Sequence, residues 1–133
     1  MAVGMDEGLL VPVVHGAEKL GLVDLMLRLK DITERAVGKK LTPQDQEGST
    51  FTISNLGMYG VESFTSIINQ PNSAILSIAG TKEMPVVRNG EVVIRPIMKM
   101  SLTSDHRVIN GLGAAKFMQE LKATLESPLP LLV

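Results

Sequence analysis

A chain of 133 residues with 44% hydrophobic and 20% charged side chains can build one domain with its own core, and is not composed like a disordered segment. A formal net charge of -1 gives no electrostatic reason to expect nucleic acid or an anionic membrane as partner. The lack of cysteine excludes disulfides, thiolate metal sites and a thiolate nucleophile.

Gly8 to Val14, GLLVPVV, suits a short buried strand, with Pro12 arguing for an edge position or a bulge. Leu22, Leu25, Met26, Leu29, Ile32 and Ala36 recur at helical spacing, so the pattern predicts an amphipathic helix over 22–37, stopped by Gly38. Leu41 to Gly48 is a polar connection in which Thr42-Pro43 reads as a cap followed by proline at the first position of a turn. Thr50 to Ile53 reads as a strand running into the loop Ser54 to Gly60. Phe64, Ile67 and Ile68 suggest a short helical turn closed before Pro71, and Ala74 to Ile78 a strand. Val86 to Ile94 reads as a hairpin turning at Asn89-Gly90. Another strand is expected over 97–103, then a helix over 112–126 with Ala114, Phe117, Met118, Leu121 and Leu125 on one face, ended by Ser127-Pro128.

About six strands and two helices in mixed order argue for an α/β sandwich, helices against a largely antiparallel or mixed sheet. No repeat, low-complexity stretch or linker divides residues 1–133. Aromatic side chains are only 3%, so the core must come from Leu, Ile, Val and eight Met. The mean hydropathy of +0.20 points either to apolar surface buried against another subunit or to an aliphatic-rich core. Met1 to Glu7 lacks the charge and apolar run of a signal peptide, and no stretch approaches the ~20 apolar residues of a membrane span. A bacterial cytoplasm is the expected place, ahead of a mitochondrial matrix.

His106 is the first candidate for chemistry. It is one of two histidines and lies in a polar loop, SLTSDHRVING, between an expected strand and an expected helix. A histidine there can act as a base near neutral pH. Asp105 and Arg107 flank it with opposite charges, and Asn110-Gly111 can form a turn or cap just after it. A loop histidine that only packs explains the spacing equally well. His15, followed by Gly16, reads as a surface-loop residue. Two histidines far apart in sequence, with no thiolate, do not make a metal site. There is no P-loop and no dinucleotide-binding fingerprint, and turn geometry explains Gly57 and Gly60 as well as phosphate binding does. Ser54 is a hydroxyl at a strand end without the G-x-S-x-G setting of a nucleophile; on position alone it reads as the cap of a turn.

Five stretches carry a family resemblance. Gly48 to Gly60, GSTFTISNLGMYG, resembles the G-G-T-F-T-I-S-N-L-G segment of dihydrolipoamide acyltransferases, the acyltransferase components of 2-oxo acid dehydrogenase complexes. Asp105 to Gly111, DHRVING, is similar to their D-H-R-x-x-D-G signature, and Gly8 to Val14 to their G-L-x-V-P-V strand. Phe64 to Pro71, FTSIINQP, and the segment from Glu126 to Val133 look most like the pyruvate-type enzymes.

The resemblance implies a chloramphenicol-acetyltransferase-like α/β fold assembled as homotrimers, which in larger complexes build cubic or icosahedral cages. It implies active sites at subunit interfaces, and transfer of an acetyl or other acyl group between a dihydrolipoyl thiol and coenzyme A. Both are substrates, the lipoyl group being carried on a domain absent from these residues; no metal takes part. It assigns His106 as general base and Ser54, from a neighbouring subunit, as hydrogen-bond donor to the oxyanion. Phe64 would line the coenzyme A channel. Asn110 stands where the signature usually has Asp, and reads as an orienting group rather than a proton relay. No lipoyl-lysine segment or subunit-binding domain is recognisable, so the resemblance implies the C-terminal part of a catalytic domain, truncated on its N-terminal side. Two other readings stay open: an assembly module of the same descent without useful turnover, and a relative that acetylates a small molecule such as chloramphenicol.

Overall fold

The computed structural model describes residues 1–5 and 8–131. Its centre is a three-stranded mixed sheet in the order β3 (Thr52–Asn55), β4 (Ala74–Arg88), β5 (Glu91–Ser104). β3 and β4 run parallel with Ser54 opposite Ser77; β4 and β5 run antiparallel with Ser77 opposite Ser101. A small antiparallel ribbon of β1 (Val3–Met5) and β2 (Gly8–Leu10) stands beside it, joined where the Ala2 amide donates to the Ile53 carbonyl at 2.8 Å. Helix α1 (Leu22–Val37) lies against β1, and helix α2 (Gly111–Glu126) against β5.

The long ribbon follows from its turn. Asn89 and Gly90 both have positive φ, 53° and 83°, which is the two-residue turn whose twist matches the flanking strands. The strand expected over 74–78, the hairpin over 86–94 and the strand over 97–103 fuse into the two long strands β4 and β5. Pro85 and Pro96 do not interrupt the pairing: they sit opposite Ile94 and Glu83. Past Ile78 the ribbon has only two strands, so each has an open side on which a missing N–H costs no ladder bond.

Two further expectations are corrected. The stretch from Gly8 to Val14 is not one strand. β2 ends at Leu10, and Pro12, which has no N–H to give a ladder, is fully buried instead. The Val13 amide then donates to the Asp45 carbonyl at 2.7 Å. No helical turn forms around Phe64, Ile67 and Ile68. Val61, Thr65, Ile67 and Ile68 are β-branched and stiff at χ1, which disfavours a short helix without packing to hold it, and Ile67 is 93% exposed. The segment is tied from its sides, by Gly80 N–H to the Val61 carbonyl at 2.8 Å and by the Ser66 and Ser77 hydroxyls at 2.7 Å. The single helical turn of this region is Gly57–Tyr59, earlier in the chain.

Besides Pro12, the buried apolar residues among the described ones are Ile32 and Ala36 of α1 and Ala74, Ile75, Leu76 and Ala79 of β4. Beneath them, the buried Asn72 donates to the Thr52 hydroxyl at 2.6 Å and accepts from the Ser49 hydroxyl at 3.1 Å. Much of the large apolar side-chain area faces solvent, on α1 (Leu22, Met26), the ribbon (Val92, Ile94) and α2 (Leu112, Phe117). The accessible surface is 9803 Å². A compact monomer of 14.3 kDa exposes about 6,800 Å². The excess, about 3,000 Å², is the size of a substantial protein interface.

Candidate active site

His106 sits in the turn that joins β5 to α2. The turn is held by backbone bonds. The Asp105 amide donates to the Ser73 carbonyl at 2.8 Å, and the Asp105 carbonyl accepts from the amides of Val108 and Ile109 at 3.0 and 2.9 Å. The Asp105 carboxylate accepts the Arg107 amide at 3.0 Å, the side-chain-to-backbone turn that aspartate favours. It also receives the guanidinium of Arg107, Nη2 to Oδ2 at 2.6 Å and Nε to Oδ1 at 3.0 Å. The guanidinium, and then the Arg107 amide, hold the Asp105 carboxyl down to about 2. Between them, His106 is exposed, and its ring makes no hydrogen bond or ion pair among the described residues.

Asn110 is the N-cap of α2. Its side-chain oxygen accepts the Gly113 amide at 2.7 Å, satisfying one of the orphan donors of the first turn. Ser54 lies in β3, half-buried, in one row across the sheet with Ser77 and Ser101. Its hydroxyl has no partner among the described residues. It is thus not a turn cap: that role falls to Asn55, whose Oδ1 accepts the Gly57 amide at 2.8 Å. Gly57 and Gly60 serve the same turn. A Cβ at Gly57 would meet the Ala79 carbonyl oxygen at 3.0 Å, and Gly60 has φ 70°.

One chain does not bring Ser54 and His106 together. Ser54 is level with Ser101 of β5, two strands away. His106 follows the end of β5 at Ser104. Two strand spacings across and three residue rises along put the Cα atoms of Ser54 and Ser104 roughly 14 Å apart, with His106 beyond. Phe64 lies half-buried on the connection from β3 to β4. His15 is exposed in its loop, its Nε2 3.1 Å from the Gln44 carbonyl oxygen. Among the described residues no three of His, Asp and Glu cluster closely enough to hold a metal ion, and no helix is long and apolar enough to cross a membrane.

The pattern D-H-R signals opposite charges, but not that they close on each other around His106. A second ionic centre, away from His106, is built on α1. Arg35 of α1 donates to Asp45 through Nη1 at 2.6 Å and Nη2 at 3.0 Å, and to Asp31 through Nε at 3.0 Å. Asp45 also accepts the Thr42 amide and hydroxyl, both at 2.8 Å. Its carboxyl is held well below the usual carboxylate range, first by Arg35 and then by Thr42.

The dihydrolipoyllysine-residue acetyltransferase component of the pyruvate dehydrogenase complex of Rickettsia felis is 38% identical over 133 residues, which is all of this chain and 32% of that protein. The dihydrolipoamide acetyltransferase of Azotobacter vinelandii superposes with a TM-score of 0.93 at 36% identity, covering 99% of this chain and 54% of that one. That enzyme was solved in a crystallographic and enzymatic investigation of the role of a serine, a histidine and an asparagine in its catalytic mechanism. The cubic core of a pyruvate dehydrogenase multienzyme complex superposes with the same TM-score, 0.93, at 37% identity, over 99% of this chain and 54% of that one. The chain therefore spans about a third of the length of the curated relatives it matches. Its mixed α/β fold is of the chloramphenicol-acetyltransferase type. The family model for the catalytic domain of the 2-oxoacid dehydrogenase acyltransferases matches residues 1–133, and the chain belongs to that family.

Proposed function

We propose that this chain is part of an acyltransferase catalytic domain that moves an acetyl group between dihydrolipoamide and coenzyme A. The observation that carries the reading is a spacing. The serine, histidine and asparagine named in the Azotobacter enzyme's mechanism are separated along that chain by the same intervals as Ser54, His106 and Asn110 here. Asparagine at 110 then falls within the family's catalytic repertoire and is no departure from it. The unpartnered His106 ring and Ser54 hydroxyl support the same reading, since both have hydrogen-bonding capacity left for a substrate.

In this scheme His106 removes the proton of the attacking thiol. The sulfur adds to the thioester carbonyl, and the oxyanion accepts a hydrogen bond from Ser54. Collapse expels the other sulfur, which takes the proton back from the imidazolium. A base of this kind contributes ~10²–10⁴ in rate, and an oxyanion donor ~10²–10³. No acyl-enzyme is needed, in keeping with a chain that has no cysteine. Asn110 orients the end of the His106 turn by capping α2, and Phe64 borders the coenzyme A channel.

The separation of Ser54 and His106 in one chain supports a site shared by two copies, in a homotrimer or a larger cage. The excess of about 3,000 Å² of surface is of the size such contacts need.

The test is acetyl-CoA:dihydrolipoamide exchange, read beside oligomer mass by light scattering. Wild type should turn over and His106→Ala should not. Mixing His106→Ala with Ser54→Ala before assembly should restore about a quarter of the sites, because each site draws one residue from each of two copies. Mixed oligomers without activity would sink the shared site. Intact wild-type oligomers without exchange would leave the assembly reading, and acetylation of chloramphenicol in preference to dihydrolipoamide the small-molecule one.

A further inference from the structure

The turn that carries His106 is built around one carboxylate. Asp105 uses its amide on Ser73, its carbonyl on Val108 and Ile109, and its carboxylate on the backbone and the guanidinium of Arg107. An exposed ion pair by itself contributes little. Here, however, the pair closes over two residues, and Oδ1, one of the two oxygens that receive the guanidinium, also accepts the amide of the residue after His106. Asp105 is only 22% exposed while Arg107 is 84% exposed, so the arginine folds down onto a carboxylate already set into the turn. The side chains on either side of His106 are committed to each other, and the imidazole is left as the free group at the apex.

We infer that Asp105 and Arg107 are positioning residues for His106: their mutual clamp fixes the turn and so the aim of the imidazole. The inference rests on the acyl-transfer reading for its catalytic consequence, but the clamp itself is tested without turnover. A ring displaced by a fraction of an ångström leaves the attack geometry while substrate binding is untouched. Asp105→Asn and Arg107→Gln should therefore each lower kcat about ten- to hundredfold with KM for acetyl-CoA within about twofold of wild type. Because both remove one clamp, the double variant should be no slower than the slower single. Arg107→Lys, which keeps the charge but loses the planar fork, should recover only part of the loss.

The second measurement is hydrogen exchange by mass spectrometry on the peptide covering 104–111. The amides of Arg107, Val108 and Ile109 all donate to Asp105, and their exchange should quicken at least about threefold in Asp105→Asn and Arg107→Gln, while β4 keeps its rates. Unchanged exchange at these amides overturns the clamp. A rise in KM with kcat preserved overturns it too, since Arg107 would then be touching substrate. A wild-type chain without turnover defeats the acyl-transfer reading alone, and the three amides then decide the clamp.

Discussion

Asn110→Asp and Asn110→Ala separate two jobs that this asparagine could do. Its carboxamide oxygen is taken by the Gly113 amide at 2.7 Å, and its NH₂ has no partner among the described residues. No residue of α2 is buried, so the first turn of this helix depends on its cap more than on packing. Removing an N-cap acceptor costs ~1 kcal/mol. In a chain of this size that lowers Tm by roughly 3–5 °C. Aspartate keeps the acceptor and puts a negative charge at the positive end of the helix dipole, worth ~0.3–1 kcal/mol. Asn110→Asp should therefore melt at or slightly above wild type, and Asn110→Ala below it. Exchange activity should follow: most of it kept in Asn110→Asp, a partial loss in Asn110→Ala, nearly all lost in His106→Ala. Thermal melts and the exchange assay on the same preparations check both halves. If Asn110→Asp were as inactive as His106→Ala while melting normally, the capping argument would fail, and the lost NH₂ donor would be the functional group.

Three other outcomes follow from the same bonds. Ser54→Ala removes a hydroxyl without a partner in the chain, so urea unfolding should move by less than ~0.5 kcal/mol while exchange falls ~10²–10³-fold; a large loss of stability would make Ser54 structural. Asp45 has its carboxyl held below the unfolded value near ~3.9 by Arg35 and Thr42. Its contribution is thus present above ~3.9 and lost as pH falls through the folded value. The urea-midpoint gap between wild type and Asp45→Asn should narrow from pH 5 to pH 2, and a gap constant with pH would refute the pairing. Asn72→Ala strands the buried Thr52 hydroxyl and should cost ~1–3 kcal/mol, part of it recovered by adding Thr52→Val; strict additivity would show that the two side chains do not communicate.

What was legible in the sequence is what depends on local periodicity. The apolar spacing from Leu22 to Ala36 with Gly38 behind it bounds α1 at 22–37, and Asn89-Gly90 sets the hairpin turn. The prolines of the strands are not legible from position alone. The cost of each depends on whether a neighbour waits for the N–H, and that is a property of the sheet. Pro85 and Pro96 sit in a two-stranded ribbon and break nothing, whereas Pro12 leaves the ribbon and becomes buried. The helical turn expected at Phe64 failed because three spaced apolar residues match a helical face but do not supply one with packing. The candidate residues themselves came from type, position and family likeness. Their separation came only from register, since the distance from Ser54 to His106 is counted through the pairings of β3, β4 and β5.

Register and surface lead to one argument. A mean hydropathy of +0.20 had two explanations, an aliphatic-rich core or apolar surface meant for a partner. Among the described residues, Ala36, Ala74 and Ala79 make up three of the buried apolar side chains, while Leu22, Met26, Val92 and Ile94 face solvent. The apolar excess is on the outside. The proposed chemistry asks for a second copy, because a thiol base and an oxyanion donor set two strand spacings apart, on β3 and past the end of β5, cannot serve one carbonyl. In the proposed assembly, the contact that covers this surface is therefore also the step that brings Ser54 to His106, and stability and turnover depend on one association.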